Sequence, residues 1–183
     1  MTTKYWMFAA LPIFCAACAG SHAEEVQDTQ MSRIEQREST RLDSVDRKAA
    51  KRQDMVDKNF EAQKGAVSKS DAPSAGRSED MLDHAKDRSE YQLKTRAELD
   101  KLGVRIQAAE EKVKLLGARV TNPLRQELQN ISTEQSTLQE QLAEMTEAAP
   151  ANWEQNRTRI EDRISKLESR ISDVTSDIDD SAS

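Results

Sequence analysis

Apolar residues recur at every third or fourth position through the second half of the chain. Trp153, Ile160, Ile164, Leu167, Ile171, Val174 and Ile178 follow steps of seven, four, three, four, three and four, the seam of a heptad-patterned helix. Only Arg157 stands where that seam calls for an apolar side chain. Upstream, Leu124, Leu128, Ile131, Leu138, Leu142 and Met145 obey the same rule, with Gln135 as the polar interruption. A third stripe runs Leu99, Leu102, Ile106, Ala109, Val113, Leu116 and Val120. Three helices with buriable seams are therefore predicted.

Breaks between them are equally legible. Pro150 disfavours a helical residue before it and lacks the amide that a preceding helix would use, which places a turn near 148–152. Asn152 is a suitable cap for the helix that follows, with Gln155 as a capping-box partner. The two arms, about 26 to 29 residues or roughly 40 Å each, form a helical hairpin. Thr121-Asn122-Pro123 offers a cap and a first-turn proline after the helix-weakening Gly117; a tight turn is expected there, and its rival is one long helix kinked at Pro123. Ser78 is the candidate cap of the third helix, which the pattern starts near Met81.

The first half is less regular. Met31, Ile34, Leu42, Val45, Ala49, Val56 and Phe60 make an incomplete stripe, with Glu38 and Arg52 at positions where a seam wants apolar groups, so this helix is expected to dock only in part. Residues 64–79 contain Gly65, Pro73 and Gly76 among small polar residues and read as a flexible linker; residues 24–30 are expected to be disordered. The fold class is thus all-α: an elongated antiparallel helical bundle or coiled coil over 80–183 with a C-terminal hairpin, preceded by a charged helical segment over 24–63 and a partly disordered N-terminal region.

Residues 1–23 have a different character, because Lys4 is their only charge and Tyr5 to Ala19 is continuously apolar. This is the layout of a signal peptide. The run is shorter than the roughly 20 apolar residues a membrane-spanning helix needs. Two processing sites compete. Ser21-His22-Ala23 presents small residues for cleavage before Glu24. Cys15-Ala16-Ala17-Cys18 resembles a bacterial lipobox, which makes Cys18 a candidate lipidation site and the leader 1–17, although Cys15 replaces the usual aliphatic residue. With Ala19 rather than Asp after the cysteine, the resemblance implies an outer-membrane destination. Periplasm or outer-membrane attachment is the expected location, and any membrane contact would run through a lipid on Cys18. No cysteine follows Cys18, so helix packing must supply the stability that disulfides lend many exported proteins.

Composition narrows the function. Charged residues make up 33% and aromatics 4%, with only 5 Gly and 4 Pro, which argues against sandwiches, barrels and nucleotide-binding α/β folds. The net charge of −6 is unevenly spread, since residues 121–183 hold 6 basic and 13 acidic side chains. Nucleic-acid binding needs a basic stripe to displace counterions; the nearest candidate, Arg47 to Arg52, is bracketed by Asp43, Asp46 and Asp54 and reads as a solvated face. Beyond residue 23, His84 is the only histidine, and no thiol or second imidazole can join it around a metal. Glu110-Glu111 and Asp179-Asp180 sit in charge-rich stretches, unlike the buried, shifted carboxyls of acid catalysis. Trp153 falls in the seam register and is expected to pack there. No cofactor is implied. The expected function is a noncatalytic, exported coiled-coil protein of the bacterial cell envelope, a scaffold or spacer that meets protein partners or its own copies through helices. The alternative is a periplasmic holdase chaperone or an adaptor subunit that grips partners between its helices.

Overall fold

The computed structural model describes residues 18–67, 75–145 and 150–182. These residues form four helices and no strand: α1 (Cys18–Val67), α2 (Ala75–Leu116), α3 (Asn122–Glu144) and α4 (Pro150–Asp180), with one 3-10 turn at Gly117–Arg119. At 1.5 Å per residue α1 and α2 extend about 75 and 63 Å, and α3 and α4 about 35 and 46 Å. The fold is the all-α, antiparallel helical bundle expected from the seams.

Every seam residue of α2, α3 and α4 is buried, apart from half-buried Leu124, and they fuse into a single apolar cluster. Leu99, Ile131, Leu138, Leu167 and Ile178 are fully sealed. Trp153 belongs to this cluster, as its register implies. Side-chain contacts give the directions. Gln135 on α3 reaches Leu99 on α2, and Arg170 on α4 bonds Glu127 on α3, so α3 runs against both neighbours. Tyr91 meets Arg157, and Lys112 meets Asp179. Both steps are nearly equal in residue number, so α2 and α4 run parallel.

The turn before Pro123 is tight, which excludes the single kinked helix. Gly117 adopts φ 55°, a left-handed conformation that costs a side-chain-bearing residue about 1–2 kcal/mol. It closes α2, its carbonyl accepts from the Val120 amide at 3.4 Å and from the Arg125 guanidinium, and α3 begins at Asn122 with Pro123 in its first turn. Thr121 holds the cap position with extended backbone, but its side chain makes no capping bond.

Several boundaries differ from expectation. α2 begins at Ala75, so Ser78 lies inside the helix and not at its cap position. α4 begins at Pro150 itself, which puts Asn152 within the helix; a proline tolerates the first helical position because the amide there has no intrahelical partner. α1 runs from Cys18, so residues 24–30 are helical, continuing a helix whose later turns are docked. The expected linker 64–79 contracts at both ends for the same reason. Residues 68–74 and 146–149, which include the remaining linker and residues 148–149 of the expected turn, lie outside the described residues, as do residues 1–17 and with them most of the expected signal peptide.

α1 packs antiparallel along α2 but contributes nothing to the apolar cluster. Of its stripe only Ile34 is buried; Met31, Leu42, Val45, Ala49, Val56 and Phe60 are half-buried. Its register is marked instead by ion pairs to α2: Asp46 to Lys101 at 2.5 Å, Asp57 to Lys86 at 3.5 Å and Lys64 to Asp83 at 3.2 Å, with Arg37 and Arg41 both meeting Glu111.

Candidate interaction grooves

Because α1 covers only part of the three-helix bundle, two grooves open beside it. The larger, about 1450 Å³, lies between α1, α2 and α4. An aromatic pair stands in it: Tyr91 and Trp153 meet edge to face, their ring centroids 5.6 Å apart and their planes at 78°. Arg88 lies 5.1 Å over the Trp153 ring and Arg157 5.1 Å over Tyr91. Each such contact contributes about 0.5–2 kcal/mol, and together they roof the aromatic pair with cations. Tyr91 also donates to the Arg157 carbonyl at 3.3 Å. Burial pushes the Tyr91 hydroxyl up from its ordinary value, against the opposing influence of Thr95 and Arg157. On α4 the groove carries Glu154, Glu161 and Glu168 at heptad spacing, and on α2 it carries Asp87, Glu90 and Glu98.

Arg157 therefore stays out of the seam. It is exposed, pairs with Glu161 one turn on at 3.0 Å and stacks on Tyr91. Tyr91 itself escaped the sequence reading, although it continues the third stripe by steps of four through buried Thr95 to Leu99. Exposed His84 and Met81 also line this groove.

The smaller groove, about 510 Å³, lies between α1, α2 and α3. Gln135 lines it, donating its amide to the Leu99 carbonyl at 3.1 Å. Arg163 on the facing arm bonds Gln141 at 2.6 Å and Glu134 at 3.4 Å instead. What brings Gln135 to α2 is Gly103, whose missing side chain leaves the space that the amide fills. Lys48 and Arg52 line the same groove. The acids expected to neutralise this basic patch are engaged elsewhere, Asp46 with Lys101 and Asp54 with Lys58, while Asp43 offers Arg47 only its backbone carbonyl.

The far end holds one buried cation. Lys112 is 5% exposed at its side chain, bonds Asp179 of α4 at 2.7 Å and lies 3.5 Å from Glu35 of α1. It ties three helices together. Nearby, burial pushes the Glu38 carboxyl up from its ordinary value, opposed by Lys112 and Arg105 and reinforced by Glu35 and Asp179. Nothing in a heptad pattern marks which lysine a neighbouring helix will cover, so Lys112 carries no signal in the sequence.

Among the described residues no cluster of three His, Cys, Asp or Glu side chains is placed to hold a metal ion, every buried side-chain polar atom has a hydrogen-bond partner, and no helix is long and apolar enough to cross a membrane. No protein-family model matches the chain, and neither the curated proteins nor the solved structures include a match to it.

Proposed function

We propose that the chain is a noncatalytic helical scaffold or spacer of the bacterial cell envelope, exported by its N-terminal apolar run and held in the periplasm or at the outer membrane. The observation that carries the reading is the division of labour among side chains. Apolar groups form one dry seam through α2, α3 and α4, while the ionisable groups lie on the outside, some of them joining neighbouring helices as ion pairs. Lys112, the buried exception, has two carboxylate partners. Acid-base or nucleophilic catalysis draws on groups held in a water-poor site with shifted proton affinity, and the two grooves are open and rimmed by solvated charges. A long bundle of this kind suits holding partners at a fixed distance.

Intact mass of the protein recovered from the envelope fraction tests the location. A mature start at Glu24, or at Cys18 with a diacylglyceryl increment, supports it; a cytosolic protein still carrying residues 1–23 refutes it. The larger groove, with its aromatic pair, favours one second reading, a holdase or adaptor that grips clients there. Suppression of aggregation of an unfolded client, lost on Tyr91→Ala with helicity unchanged, would select that reading over the spacer.

A further inference from the structure

Helix α1 separates the two grooves, and its own basic residues stand on one side of it, across from Asp100 and Glu110 of α2. Gln53 faces the larger groove, whereas Lys48 and Arg52 face the smaller one. In the larger groove six carboxylates outnumber the cations Arg88, Lys94 and Arg157, and Glu98, Glu154 and Glu168 make no ion pair among the described residues. On the other flank of α1 the same holds for Lys48 and Arg52, while Arg41 remains 45% exposed beside Glu111.

Spacing matches as well as sign. Glu154, Glu161 and Glu168 recur every seven residues along one side of α4 and cover about 21 Å. Arg41, Lys48 and Met55 recur every seven residues along α1 and cover the same length, with Arg52 one turn beyond Lys48. A seven-residue repeat on each of two helices is the condition for them to lie side by side with charges in register. Exposed apolar side chains fall on the same two surfaces: Met55, 57% exposed, extends the basic flank, and Met81, 69% exposed, lines the acidic groove. Methionine adapts to irregular apolar and aromatic contacts, and the groove holds Tyr91 and Trp153.

We infer that the basic flank of α1 docks into the acidic groove of a second copy of this chain. This inference rests on the scaffold reading and names the partner. The two surfaces lie on different sides of one helix, so the contact is head to tail. Every added copy leaves one groove and one flank free, and the copies grow as an open lateral series instead of closing as a dimer.

Sedimentation of the full chain across micromolar concentrations tests this, with two charge reversals. One variant carries Glu154→Lys and Glu168→Lys; the other carries Lys48→Glu and Arg52→Glu. Wild type should grow past dimer with concentration at about 0.05 M salt and weaken at least tenfold at about 0.5 M, where screening is nearly complete. Each variant alone should stay monomeric, and an equimolar mixture should recover growth, because each reversed surface now meets its opposite. The neutral pair Lys48→Gln and Arg52→Gln, with helicity checked by circular dichroism, separates lost docking from lost folding and should also be monomeric. A monomeric wild type, a closed dimer, or association that ignores salt and charge reversal, as contact through Tyr5 to Ala19 would, overturns the inference. So does a mixture that fails to recover growth. A monomer recovered from the envelope fraction would sink self-docking alone and leave the spacer reading standing.

Discussion

Lys112 separates two energetic roles that a salt bridge combines. Its ammonium is almost fully buried, while its partners Asp179 and Glu35 keep 47% and 62% of their side-chain surface in water. Removing the cation therefore leaves two carboxylates already solvated, but removing a carboxylate leaves a buried cation short of a partner. For a fully buried pair the second change costs about 3–5 kcal/mol and apolar replacement of the whole pair is often neutral. Here Glu35 remains at 3.5 Å and water reaches the Asp179 side, so the cost falls nearer the value of one charge-assisted hydrogen bond, about 1.5–3 kcal/mol. Asp179→Asn should lower the melting temperature by roughly 3–12 °C, given about 2–4 °C per kcal/mol for a chain this long. Lys112→Met keeps the buried stem and should stay within about 1 kcal/mol of wild type. In the double variant, Asp179→Asn should add almost nothing to Lys112→Met. Thermal unfolding followed by circular dichroism measures all three. If Lys112→Met proves the costlier single change, the cation is not buried between these helices and the account of the clasp is wrong.

Three further outcomes follow from the same contacts. Gly103→Ala should be nearly neutral, since the helix gains about 0.8–1 kcal/mol while the new methyl, 3.1 Å from the Gln135 amide, displaces a hydrogen bond of about 0.5–1.5 kcal/mol; in a Gln135→Ala background the full gain should appear, and equal effects in both backgrounds would contradict the α2–α3 register. Glu38→Gln should raise the melting temperature at neutral pH. Burial raises the Glu38 proton affinity in the folded state, so wild-type stability from this group falls as pH rises through the interval above its ordinary value; the advantage of Gln should vanish below that interval, and an advantage independent of pH would refute burial as the cause. Hydrogen exchange in about 0.5 M salt should accelerate along α1 while α2, α3 and α4 keep their protection, because screening weakens ion pairs and spares an apolar seam; uniform acceleration would mean that α1 is no less firmly docked than the rest.

Much of the bundle is legible in the sequence, and for a physical reason. In α2, α3 and α4 the side chains that meet are apolar and recur with the helical period, so one chain announces what its neighbours will cover. Ile131, Leu138 and Leu167 are recognisable by spacing alone, and all three are fully sealed. Helix ends were harder. Pro150 marks a break from either side, and nothing local told whether it would precede the cap or begin the helix. The interaction surfaces were least legible, because they depend on which polar residues a second helix happens to face. Gln135 and Arg157 both interrupt a seam, yet one turns to the Leu99 carbonyl through the gap at Gly103 and the other leaves the core for Tyr91.

The same distinction explains why α1 behaves differently from the helices it lies on. For α2, α3 and α4, sliding a helix by one turn would pull sealed aliphatic groups into water at about 25 cal/mol per Å² of apolar surface, so apolar contact sets their register. The half-buried stripe of α1 exerts little such restraint. Sliding it by four residues would part Asp46 from Lys101, Asp57 from Lys86, Lys64 from Asp83 and Glu35 from Lys112 together. Exposed pairs contribute only about 0.2–1 kcal/mol each, but they fail as a set, and Lys112 loses one of its two carboxylate partners. Charge thus does for α1 what shape does for the seam. A helix placed this way keeps its outer flank free for other contacts, and its hold answers to salt and pH where the core beneath it does not.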